Sequence, residues 1–109
     1  MRNQVVNDRP SMTDLAPWGR VQSVIDIGQG ICFVTTDDHG GYYVPFAMLS
    51  AIPAWQQEKA AQYSGSRHWY EEDCCWAFVC MAYPDLFPPE ALEHATLVVH
   101  ASFGAMESS

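Results

Sequence analysis

An α+β fold, a three-stranded antiparallel β-meander packed against two to three α-helices, is what this chain predicts, and three observations carry that expectation. β-Branched runs separated by glycine-bearing turns fill the first half, over residues 20–27, 31–36 and 42–44. Proline-bounded stretches with apolar residues near a 3.6-residue period fill the second half. Of the 109 residues 49% are apolar and only 17% charged, which is material for one core and marks the chain off from disordered acidic tails.

Residues 1–16 are polar and aperiodic, with Pro10 and Pro17 punctuating them, and read as a flexible N-terminal arm. The single α+β domain spans residues 17–103. In its first strand Val21, Ile25 and Ile27 alternate with polar neighbours until Gly28, Gln29 and Gly30 turn the chain into the second. Asp37, Asp38, His39, Gly40 and Gly41 supply the residues that a tight reversal with positive φ favours, and Tyr42, Tyr43 and Val44 form the third strand up to Pro45.

Phe46, Leu49 and Ile52 then recur every third residue, as in a short helical turn, and Pro53 opens a helix that ends near Tyr63. Ser66 is placed to cap the next helix, over residues 68–83, with Trp69, Trp76, Val79, Cys80 and Tyr83 near one face and Glu71, Glu72 and Asp73 in its first turn. Pro88 and Pro89 open a last helix with Leu92, Ala95, Val98 and Val99 on its apolar side, although the run 96–99 also fits a strand. Residues 104–109 read as a disordered tail.

The net charge of −8 is regional: residues 1–20 carry +1, residues 21–67 carry −2, and residues 68–109 carry −7 with no lysine or arginine after Arg67. Like charges repel at a cost in stability, so their retention points to solubility or to a basic partner. Direct binding to nucleic acid or to an anionic membrane is disfavoured, because both need cations to displace counterions from phosphates. No run approaches the roughly 20 apolar residues of a membrane span, and the polar start lacks a signal-peptide core, so a cytoplasmic location is the expectation.

Four cysteines, Cys32, Cys74, Cys75 and Cys80, then read as reduced thiols. Cys74, Cys75 and Cys80 with His68 have the composition of a zinc cluster but not its spacing, since neighbours on a helix diverge by about 100°. A catalytic Cys74 is disfavoured by Glu71, Glu72 and Asp73, which raise a thiol pKa. Turn chemistry accounts for Asp37, Asp38 and His39, and Glu90 with His94 lacks a third metal ligand. No metal, cofactor or catalytic residue is therefore expected.

The segments Trp18-Gly19, Asp38-His39-Gly40-Gly41 and Tyr70-Glu71-Glu72-Asp73-Cys74-Cys75-Trp76, followed by Tyr83-Pro84-Asp85-Leu86-Phe87, resemble an uncharacterised domain family of bacterial, plasmid and phage proteins. That resemblance covers residues 17–88 and implies no activity. In size and acidity the chain is also similar to the small inhibitors that phages and mobile elements direct against CRISPR complexes, some of which imitate DNA.

The expected function is thus a small acidic protein-binding inhibitor that occludes a basic nucleic-acid-binding surface of a host defence complex. The expected contacts are Glu71, Glu72, Asp73, Glu90, Glu93, Asp37, Asp38 and Tyr70, on a monomer or homodimer. The alternatives are a metal-dependent or cysteine/histidine enzyme built around Asp38 and His39 with His68 or Cys74, and an adaptor that pairs subunits through exposed aromatics.

Overall fold

Four antiparallel strands, β3 (Ser23–Gly28), β4 (Ile31–Thr35), β5 (Gly40–Tyr43) and β6 (Trp69–Glu71), make one sheet in the order β3-β4-β5-β6. The computed structural model describes residues 15–37 and 39–107; the first fourteen residues of the expected arm, Asp38 and residues 108–109 lie outside the described residues. A second, two-stranded sheet pairs β1 (Leu15–Ala16) with β2 (Gly19–Arg20). The helices are α1 (Ala54–Ser64), α2 (Trp76–Ala82) and α3 (Pro89–Glu107), with 3₁₀ turns at Phe46–Ala51 and Pro84–Leu86.

The expected three-stranded meander is therefore corrected to a four-stranded sheet, within an α+β fold. The missing strand comes out of the helix expected over residues 68–83. Trp69, Tyr70 and Glu71 pair with Tyr43, Tyr42 and Gly41 of β5, and the fully buried Tyr70 ring meets Phe78 with centroids 6.5 Å apart. Ser66 caps no helix: its hydroxyl accepts a hydrogen bond from the His68 amide at 3.0 Å and so shapes the turn into β6. The helix proper starts only at Trp76.

Gly40 and Gly41 are also not turn residues. Both lie in β5 and neither has positive φ, a conformation taken instead by Gln29, Gly30 and, at the left-handed cap of α1, Gly65. What Gly41 supplies is closeness. A Cβ there would stand 2.7 Å from the Trp18 ring and 2.7 Å from the Tyr70 carbonyl oxygen.

Each face of the sheet is covered. Ile31 and Tyr70 face the helices, in a core that includes Ile52, Ala60, Phe78, Val79, Val99 and Phe103. Cys32, Val34 and Tyr43 point the other way, against Ala16, Val21 and the Trp18 and Trp69 rings, whose centroids are 5.3 Å apart and nearly perpendicular. In α3, among the residues whose burial is described, the buried ones are Ala95, Val99 and Phe103, spaced by four, so helical burial prevails over the β propensity of residues 96–99. Leu92, expected on the apolar side, is 40% exposed. Among the described residues no helix is long and apolar enough to cross a membrane.

Candidate protein interface

The β4–β5 hairpin and the turn after β6 meet at one end of the sheet. Thr36 closes the hairpin: its amide donates to the His39 carbonyl at 2.8 Å, and its hydroxyl takes part on both sides of the same loop. Opposite, Glu71 pairs with Gly41, and the Glu72 amide donates to the Gly40 carbonyl at 2.9 Å. This register brings Glu71 Oε2 to 3.2 Å from His39 Nδ1, an ion pair when His39 is protonated. Asp37, in the hairpin tip, and Glu71, Glu72 and Asp73 are thus gathered at this end; Asp37, Glu72 and Asp73 are exposed and Glu71 is half-buried.

From that end a row of half-buried rings leads across the molecule. Phe33 and Tyr42 sit directly opposite on β4 and β5 with centroids 5.0 Å apart. Tyr42 meets Phe87 at 5.3 Å, Phe87 meets Trp76 at 6.5 Å, and Trp76 meets the exposed His94 ring of α3 at 5.4 Å. Ile25, paired with Phe33 on the outer strand, is 56% exposed and widens the row.

The Glu72 carboxylate adjoins the first of these rings, since its Oε1 and the tip of Phe33 both crowd the space above Gly40. The Tyr42 hydroxyl is pushed above its ordinary pKa by burial first, then by Cys80 and Glu72. At the far end, Glu90 lies one helical turn before His94 and Glu93 immediately precedes it, both exposed, with Glu90 in the first turn where the helix dipole favours a carboxylate. Carboxylates therefore stand at both ends of the aromatic row. Among the described residues, Glu72, Asp73, Glu90 and Glu93 have no lysine or arginine within ion-pair distance.

Of the residues expected to make contact, Asp37, Glu71, Glu72 and Asp73 are brought together, while Glu90 and Glu93 are joined to them only through the rings. Asp38 lies outside the described residues. Tyr70, expected as an exposed anchor, is corrected to a core residue with 0% exposure, and burial raises its hydroxyl pKa well above the ordinary range. The residues missed by sequence reasoning are Phe33, Phe87 and Trp76 as a connected surface row. One local signal was available, because Phe33 and Tyr42 are equidistant from the centre of the hairpin and so must face each other.

The thiols of Cys74, Cys75 and Cys80 are held protonated. Burial is the leading cause at Cys74, with Asp73 and Glu71 adding to it, and at Cys75, whose thiol is pushed up to about 12. Cys80 is likewise raised by burial. His68 donates through Nδ1 to the Val44 carbonyl at 2.8 Å, because a carbonyl only accepts. Among the described residues no three of histidine, cysteine, aspartate and glutamate converge as a bound metal ion needs.

The fold and surface define a small α+β domain with an acidic, aromatic face. The chain belongs to the family described as a domain of unknown function (DUF7007), whose profile matches residues 11–105. No curated protein and no solved structure matches it.

Proposed function

We propose that this chain is a protein-binding inhibitor that docks its aromatic, acid-flanked face on a basic surface of a nucleic-acid-handling complex. The observation that supports it most is the pairing of carboxylates that meet no lysine or arginine among the described residues with a ready contact area: Glu72 and Asp73 at one end of the Phe33–Tyr42–Phe87–Trp76 row, Glu90 and Glu93 at the other. Protein interfaces concentrate their energy in central aromatic side chains and use the polar rim for orientation and steering. A complex that holds nucleic acid must line its channel with lysine and arginine, so carboxylates presented in place of phosphates compete for that channel. A host defence complex opposed by a phage or mobile element, as with the small acidic anti-CRISPR inhibitors, is the target this chemistry suits.

The test is a paired capture from bacterial lysate with the wild-type chain and the Glu72→Lys, Asp73→Lys, Glu93→Lys variant as baits. All three side chains are exposed, so the variant should fold. The expected outcome is a basic protein held by wild type alone, released as salt rises, and losing its own nucleic acid when the wild-type chain binds. Equal retention of the same proteins by both baits would sink the proposal.

A further inference from the structure

One cavity of the molecule has the opposite character from its acidic face. It is an open cleft of about 440 Å³, within the usual range of small-molecule sites, lined by Phe46, Ala47, Leu49, Ser50, Gln57, Arg67 and His68. Among the described residues no carboxylate lines it, in a chain of net charge −8. Arg67 is the permanently charged residue among the described lining residues.

The walls are preformed. The Gln57 amide donates both hydrogens, to the Leu49 carbonyl at 3.0 Å and the Ile52 carbonyl at 2.9 Å, and so ties the 3₁₀ turn Phe46–Ala51 to α1. His68 is fixed through its Nδ1 hydrogen bond to Val44 and by stacking on Tyr43, with ring centroids 5.7 Å apart and an interplanar angle of 16°. That leaves Nε2 of a positioned ring as its remaining polar atom. An apolar floor, a few immobilised polar groups and one planar cation at the wall match one chemical class.

We infer that this cavity binds a small monocarboxylate with an apolar body, its carboxylate on the Arg67 guanidinium and its ring or chain against Ala47, Leu49 and Phe46. Guanidinium and carboxylate geometries are complementary and form two parallel charge-assisted hydrogen bonds. The apolar body supplies affinity by leaving water, and walls already held in place reduce the ordering that binding requires. This site shares no residue with the aromatic row and stands independently of the protein-binding proposal.

The test titrates the intact chain with 3-phenylpropionate and, separately, with its uncharged isostere 3-phenylpropanamide, following backbone and side-chain NMR shifts. Carboxylate-induced shifts should concentrate at Ala47, Leu49, Ser50, Gln57, Arg67 and His68, with the amide bound about tenfold more weakly. Arg67→Gln, at an exposed residue, should erase that preference while the spectrum stays folded, and Ala47→Trp, which fills the mouth, should abolish binding of both. No binding of either probe, equal binding of the two by wild type, or an unchanged preference in Arg67→Gln overturns the assignment.

Discussion

Gly40 and Gly41 are neighbours in one strand, yet a methyl group at each meets a different obstacle. At Gly40 it would press on the ends of side chains, the Phe33 ring at 3.1 Å and the Glu72 carboxylate at 3.2 Å, which can yield. At Gly41 it would meet backbone, the Tyr70 carbonyl at 2.7 Å and the Glu71 Cα at 2.8 Å, as well as the Trp18 ring. Gly41→Ala should therefore lose about 1–3 kcal/mol in urea denaturation, and Gly40→Ala clearly less. Equal losses would mean that strand propensity rather than crowding decides. Cys75 offers a second test at this scale. Its folded thiol holds its proton up to about 12, whereas an unfolded thiol releases it near about 8.5. The unfolded state therefore gains by ionising first, so the stability contributed below about pH 8.5 declines as pH rises toward the folded value. The urea midpoint should drop between pH 7.5 and pH 10, less steeply in Cys75→Ala; parallel slopes in the two proteins would contradict the assignment.

Elements whose contacts are local were legible in the sequence, and those that depend on distant pairing were not. The turn at Gly28–Gly30, the 3₁₀ turn after Pro45, α1 after Pro53 and α3 after Pro88 are each marked by residues that favour their own backbone conformation. β6 has no such mark. Three residues are too few to show alternation, and the strand exists because β5 offers a partner roughly 28 residues earlier in the chain and because Ser64 Oγ accepts the Glu71 amide at 3.0 Å on its outer side. Trp69 falls near a 3.6-residue series with Trp76 and Val79 by coincidence, for it faces the Trp18 side of the sheet while Val79 lies in the helical core. The acidic cluster followed the same logic. That carboxylates are dense after Arg67 is a matter of composition, but their union with Asp37 at one end of the sheet needed the β5–β6 register, and the rings between them and α3 needed the packing of α2 on α3.

Across the whole molecule the surplus of negative charge acts on stability as well as on partners. Adding salt shortens the Debye length from about 30 Å at 0.01 M to about 8 Å at 0.15 M. Repulsion among the exposed carboxylates should then weaken, and the thermal midpoint should rise by about 2–5 °C in a scan at the two concentrations. A fall would show that attractive ion pairs outweigh the repulsion. Burial, too, is divided unequally, between the two sides of the sheet. The helical side is held by three helices, whereas Cys32 and Val34 are roofed by a clasp of two-residue strands and the Trp18 ring. A ladder that short has little cooperativity of its own, so the clasp can peel back while the helices stay docked. Partial opening there would uncover Val34 and the Cys32 sulfur before the helical core, so the amides of the short ladder are expected to exchange with solvent ahead of those of the helices.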